Sequence, residues 1–347
     1  MVENVNNTEA VFVQRLKKHQ DELRWLYMEL YGNDAMFAEL CDQMHAYHLE
    51  RITGLKKRDA QKEKNPDWFK EKNMLGMMLY IDNFAGNLQG VEKKLPYLKE
   101  CNVNCIHLMP FLDTPKGKSD GGYAVSDFRK VRPDLGTMKD LAGLTEKCHE
   151  NGMNVCMDFV MNHTSEEHEW ARRARAGEGE YMSRYFFYDN DEIPAKYEET
   201  VPQVFPTTAP GNFTWLPEIG HYVLTTFYPY QWDLNYRNPR VFNEMMYNFL
   251  FLANQGMDII RIDAVPYIWK ELGTSCRNLK EVHTIAAEVW AVHEGTIQTA
   301  LIESVSEHDP SMVTGRLSNN LLVHIKGDKG MIGIDFLLLF PKEKVRL

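Results

Sequence analysis

The chain has 347 residues, 44% of them hydrophobic and 25% charged, enough apolar material for one large core or two smaller ones. It carries 39 Lys and Arg against 49 Asp and Glu, a net charge of −10 that argues against nucleic acid or an anionic membrane surface as a partner. No run approaches the roughly 20 uninterrupted apolar residues of a spanning helix. The opening Met1-Val2-Glu3-Asn4-Val5 has neither a basic nor an apolar leader region, and the 6 cysteines form no CxxC pair. The expectation is a cytoplasmic protein with reduced, mostly buried thiols.

Residues 8–66 read as helices. Phe12, Leu16, Leu23 and Leu26, then Leu40, Met44 and Tyr47, recur near the helical period. The basic stretch 56–72 reads as a solvated linker or helix face. From residue 74 the texture changes to short unbroken apolar runs at 74–81, 105–109, 153–160 and 257–263, as in strands buried on both faces. Helix patterns lie between them at 91–98, at 138–150 with an Asn151-Gly152 stop, and at 240–254. This alternation predicts βαβ units and a parallel sheet. The section 164–238, rich in Trp and Tyr, is too long for a plain loop and predicts an inserted subdomain.

The polar residues cluster where these strands end. Asp158, Asn162 and His163 follow the third strand, and Arg261 and Asp263 close the fourth. In a parallel α/β barrel that face carries the active site. Arg261 and Asp263 are two residues apart on a strand and point the same way. On spacing alone, a structural ion pair and a catalytic carboxylate held by its arginine fit equally well.

Three segments together resemble the α-amylase superfamily, glycoside hydrolase family thirteen. They are Asp158-Phe-Val-Met-Asn162-His163, residues 256–265 around Arg261-Ile-Asp263, and Asp120-Gly-Gly-Tyr123. Residues 119–125, 162–171, 225–227, 231–236, 268–270 and 273–279 resemble its amylosucrase branch in particular. The resemblance covers residues 10–284. It implies a helical N-terminal domain (1–72) and a (β/α)8 TIM-type barrel (73–347) with the insertion at 164–238. It also implies a retaining hydrolase or glucosyltransferase acting on sucrose or a related α-glucoside, with water, a glucan or phosphate as acceptor, and no cofactor or metal. Asp263 is then the nucleophile and Arg261 keeps it ionised. His163 and Asp120 bind sugar hydroxyls, and Tyr123 stacks on the sugar ring. Asn162 and Asp158 resemble positions that bind calcium in many amylases, a site the amylosucrase branch generally lacks.

A retaining enzyme needs a second carboxyl group about 5–5.5 Å from the first. After residue 284 the likeness stops. Glu303, in Leu301-Ile-Glu303-Ser, fits the end of a fifth strand, Glu288 reads as helical, and Glu307 is a third candidate. His308-Asp309 reads as a chance dipeptide. Residues 321–325 and 332–340 are possible strands without the family's motifs. The barrel is therefore expected to be incomplete, truncated or divergent after 284, with exposed sheet edges that favour association. The alternative function is a non-catalytic remnant that keeps part of a sugar pocket.

Overall fold

The computed structural model describes residues 2–65, 68–70, 73–293, 298–305, 312–317, 322–326 and 335–338. The chain folds as two compact units, one formed by Met1–Gln14 with Tyr27–Val282 and the other by Arg15–Leu26 with His283–Leu347. The division does not fall at residue 72.

Three helices come first: α1 (Val2–Tyr31), α2 (Asp34–Glu50) and α3 (Thr53–Lys62). Asn33 caps α2 by accepting from the Met36 amide, which satisfies one of the orphan donors of its first turn. Strand β1 (Gly76–Leu79) is followed by α4 (Ile81–Ala85), α5 (Leu88–Lys93) and α6 (Leu95–Glu100). The sequence pattern at 91–98 predicted a single helix there. Pro96, with no backbone N–H to donate, sits in the first turn of the second piece.

Then come β2 (Cys105–Leu108), the hairpin β3 (Leu112–Asp113) with β4 (Asp127–Val131), α7 (Met138–Glu150) and β5 (Asn154–Val160). A capping box between Thr137 and Asp140 starts α7, and Gly152 at φ 73° follows its end.

The region expected as an insertion holds β6 (His163–Ser165), α8 (Glu169–Arg175), α9 (Gly179–Met182), β7 (Phe187–Tyr188), α10 (Glu192–Glu198), β8 (Phe213–Leu216), β9 (His221–Leu224) and β10 (Gln231–Asp233). These strands make two small antiparallel sheets, β7-β9-β8 and β10-β6. Helix α11 (Pro239–Asn254) and strand β11 (Ile259–Asp263) complete the alternation.

The four long-range strands form one parallel sheet in the order β1-β2-β5-β11. Each new strand lies beside the one before it, with no reversal of order. That is how a (β/α)8 barrel grows, whereas a doubly wound sheet would reverse. The sheet is the TIM-type barrel arrangement, with four parallel strands among the described residues. Its first strand is less buried than its apolar run suggests: Met78 is 64% exposed, and β1 is hydrogen-bonded only to β2 among the described residues.

Within the basic stretch Lys57 and Lys64 are exposed, but Arg58 and Lys62 turn onto a buried carboxylate. Arg58 Nε lies 2.7 Å from Asp258 Oδ1, and Lys62 bonds the same oxygen. His149 Nε2 and the Val155 amide, each at 2.8 Å, occupy Asp258 Oδ2. Burial favours the neutral acid at Asp258, yet the hydrogen bond from His149, the charge of Lys62 and the hydrogen bond from Arg58 hold its carboxyl well below the usual range. This carboxylate joins α3, α7 and β5 just before β11 begins.

In the second unit, α12 (Lys280–His293), which starts three residues inside the first, leads to β12 (Gln298–Val305), β13 (Met312–Leu317), β14 (Leu322–Lys326) and β15 (Asp335–Leu338). These four strands form an antiparallel sheet in the order β14-β13-β12-β15. The expectation that Glu303 ends a fifth parallel strand is therefore not met. Its strand pairs antiparallel on both sides, and Glu303 falls at the register shift between Ile302 and Ser304, the extra residue of a bulge. Short apolar runs do not distinguish a parallel strand from an antiparallel one. Glu307, His308 and Asp309 lie outside the described residues.

Candidate active site

Strands β5 and β11 pair so that Arg261 stands opposite Asp158 and Asp263 opposite Val160. One guanidinium nitrogen, Arg261 Nη1, donates to Asp158 Oδ1 at 2.9 Å and to Asp263 Oδ1 at 3.0 Å. Asp158 Oδ1 also meets His107 Nε2 at 3.1 Å, while its Oδ2 accepts from the Tyr123 hydroxyl at 2.9 Å. Asp158 is buried and Asp263 is open enough to be reached.

Arg261 does not lower the Asp263 carboxyl on balance. Burial comes first and raises it, and the charges of Asp158 and Asp120 add to that, against the opposing effect of Arg261. Arg261, expected to keep Asp263 ionised, acts in that direction through its charge and its hydrogen bond without reversing the rise. Burial and the hydrogen bond to Asp158 likewise push the Tyr123 hydroxyl well up, so it acts as a donor.

The loop between β3 and β4 delivers Asp120 and Tyr123. Asp120 sits at φ 49°, in the left-handed region that Asp tolerates better than most residues. Gly122 is at φ 101°, and a Cβ there would lie 2.7 Å from Pro110 Cβ and 2.8 Å from its carbonyl oxygen. Only glycine fits that close pass. Asp120 Oδ2 accepts from Gln231 Nε2 at 3.1 Å, and the same amide nitrogen lies 3.1 Å from His163 Nε2.

His163 is fully enclosed. Burial, with the nearby Lys270 charge, pushes its imidazole down to about 4, against the pull of Asp233. Asn162 Nδ2 lies 3.3 Å from its Nδ1, so an imidazolium would face amide donors on both sides. His163 stands here as a neutral ring. Phe227 packs 5.1 Å from that ring and 5.1 Å from Tyr267, forming an aromatic wall.

Asp158 thus joins Tyr123, Arg261 and Asp263, and Gln231 joins Asp120 and His163, two networks that share the β3–β4 loop. Of the carboxyls considered as acid/base, Glu303 lies on the antiparallel sheet. Glu288 is buried on α12, both its oxygens lack a partner among the described residues, and burial pushes it well up.

The oxygens that resemble a cation site already have donors. Asn162 Oδ1 takes the Lys270 ammonium at 3.0 Å, and both oxygens of Asp158 are occupied as described. Among the described residues no group of three or more His, Cys, Asp or Glu side chains is placed to hold a metal ion. No helix of the described residues is long and apolar enough to cross a membrane.

Sequence reasoning gave no role to His107, Gln231, Asp233 or Lys270, although the last three lie in segments that carried the resemblance. His107 lies in an apolar run and was legible only as strand, although its position two residues after Cys105 gave a face. Gln231 and Asp233 alternate on one strand and so share a face, which is a usable signal.

The arginine-bridged carboxylate pair and the neutral histidine thus lie toward the carboxyl ends of parallel strands, the face on which a barrel of this kind carries its site. The profile of the alpha amylase catalytic domain matches residues 61–321. The chain belongs to the alpha-amylase family. It is 35% identical to a trehalose synthase of Pimelobacter sp. over 230 residues, covering 65% of this chain and 39% of that protein. It is 36% identical to maltase 1 of Drosophila virilis over 191 residues, covering 54% of this chain and 29% of that protein. Among solved structures it resembles the trehalose-6-phosphate hydrolase of Bacillus licheniformis (TM-score 0.56, 26% identity, 64% of this chain and 42% of that one). It also resembles the trehalulose synthase of Pseudomonas mesoacidophila (TM-score 0.57, 26% identity, 65% and 44%). The chain spans less than half the length of these relatives. None of the four is an amylosucrase, so the narrower likeness is not carried by them.

Proposed function

We propose that the chain is the nucleophile-bearing part of a retaining α-glucosidase or transglucosylase, with sucrose or a related α-glucoside as substrate and an amylosucrase-like preference. The observation that carries this is the Arg261 bridge between Asp158 and Asp263 at the end of β11. In this reading Asp263 attacks the anomeric carbon and forms a covalent glucosyl ester, the aglycone leaves, and water, a glucan end or phosphate takes the glucosyl group. Arg261 orients the nucleophile. His163, Gln231 and Asp120 present polar atoms to the sugar hydroxyls, and Tyr123 and Phe227 supply apolar faces. The names of the relatives, trehalose synthase and maltase, support α-linked glucosides as the substrate class.

A second reading, a sugar-binding chain that does not turn over, is favoured by the position of Glu303 on an antiparallel strand. Incubating the chain with sucrose, maltose and trehalose, and measuring free fructose and glucose beside Asp263→Asn, separates the two. Release that depends on Asp263 establishes the enzyme. Binding of sucrose without release establishes the second reading, and neither binding nor release overturns both.

A further inference from the structure

His107 stands on β2 opposite Met78 of β1 and Cys156 of β5. Residues paired directly across parallel strands point to one face, and so do residues two apart on a strand. His107, Cys156 and Asp158 therefore share the face on which Arg261, opposite Asp158, also stands. The His107 ring reaches diagonally across that face and places Nε2 3.1 Å from Asp158 Oδ1. A carboxylate only accepts, so Nε2 carries the proton of this bond. The same oxygen takes Arg261 Nη1 at 2.9 Å, and that nitrogen also reaches Asp263 Oδ1 at 3.0 Å.

One guanidinium nitrogen thus serves two carboxylates with unequal access to water. The Asp158 side chain is 1% exposed and that of Asp263 is 22% exposed. A buried anion short of a donor costs more than one that water can reach. Without the His107 N–H, Arg261 is the donor left to Asp158 Oδ1. The guanidinium is then drawn toward Asp158 and away from Asp263, where water takes its place. We propose that His107 is a positioning residue for Asp263: its N–H completes the donors around Asp158 and so leaves Arg261 divided between the two carboxylates. The catalytic meaning of this rests on the reading of Asp263 as the nucleophile. No other ionisable neighbour takes over the part of His107. Tyr123 already donates to Asp158 Oδ2, and Asp120 accepts from Gln231. Cys156 Sγ turns to the Met157 carbonyl at 4.0 Å, and burial first, then Cys105 and Asp158, push its thiol up to about 12. Burial likewise raises the Cys105 thiol.

Carbon-13 NMR of the side-chain carboxyls of the whole chain tests this without turnover, with the Asp263 signal identified by its loss in Asp263→Asn. In His107→Leu the titration midpoint of Asp263 is expected to rise by about 0.5–1 pH unit, because a guanidinium that withdraws stabilises the carboxylate less. His107→Gln, whose amide nitrogen stands as many bonds from the backbone as Nε2 does, is expected to restore most of the parent midpoint. Thermal melts check that each variant is folded, and His107→Met serves where His107→Leu does not fold. An unshifted Asp263 in a folded apolar variant overturns the proposal. So does a midpoint in His107→Gln that rises as far as in His107→Leu, since loss of packing rather than of the donor then explains it. Fluoride release from α-glucosyl fluoride, whose leaving group needs no acid, is measured beside the titration. Its absence with the shift present overturns the glucosidase reading alone, and release with no shift overturns the role of His107 alone.

Discussion

Lys270 Nζ lies 2.7 Å from Asp233 Oδ2, and neither side chain is more than 1% exposed. Asn162 closes a triangle with them, accepting from Lys270 through Oδ1 and donating to Asp233 through Nδ2 at 3.0 Å. Thr226 gives Asp233 two further bonds, from its amide at 2.9 Å and its hydroxyl at 2.6 Å. The triangle fixes the backbone next to His163, so the imidazole is oriented by a buried ion pair.

Breaking that pair from one side should be costly. Lys270→Met leaves Asp233 ionised and unpaired in the interior, and the expected loss is about 3–5 kcal/mol in urea unfolding. Replacing both partners with apolar residues should recover part of it. A single variant within about 1 kcal/mol of the parent would show that the pair carries no such load.

Asp263→Asn keeps the shape of the side chain and removes the carboxylate proposed above as the nucleophile. Sucrose or maltose cleavage should fall by about a thousandfold or more, with the melting temperature little changed. Initial rates of reducing-sugar release measure it. Activity within about tenfold of the parent would place the nucleophile elsewhere.

Two buried histidines set an acid limit. Burial pushes His163 down to about 4, and burial with the charges of Arg184 and Arg172 pushes His168 down to about 3. In the unfolded chain both take a proton near pH 6.5. Stability from these groups is therefore complete above that pH and falls as the pH drops toward 4 and then 3, by on the order of 3 kcal/mol for His163 and 5 kcal/mol for His168. Melting temperatures recorded from pH 7 to pH 4 should decline steadily, and a flat profile would contradict the assignment.

Gly122→Ala brings a methyl group against Pro110 and forces a positive φ on alanine. The expected cost is about 1–3 kcal/mol, with a larger proportional loss of saccharide binding, since the same loop holds Asp120 and Tyr123. Isothermal titration with sucrose beside thermal melting distinguishes the two effects.

Much of this site was readable in the sequence. The end of β11 at Asp263 follows from an apolar run closed by polar residues, and Arg261 shares a face with Asp263 by the two-residue repeat. Asp158, expected after its strand, lies within β5. Arg58 and Lys62 misled because a basic run looks the same whether it faces water or a single buried carboxylate. Only the fold brings Asp258, some 200 residues away, to meet them. Glu303 misled for a related reason. The pattern around it specifies a strand, and pairing partners that are distant in sequence decide whether that strand runs parallel or antiparallel.

Asp258 and Asp263 stand just before and at the end of the same short strand, and their surroundings pull them in opposite directions. The first is held well below an ordinary carboxyl and the second is raised above it. A depressed carboxyl contributes stability above its unfolded value and gives it up only as the pH falls through its folded value. On acidification the clamp of Arg58, Lys62 and His149 around Asp258 is thus still charged when Asp263 has already taken its proton. Strand β11 thereby separates two acid sensitivities along its length. The end that would meet sugar is silenced first and recovers on neutralisation, while the end that fastens the helices keeps its grip.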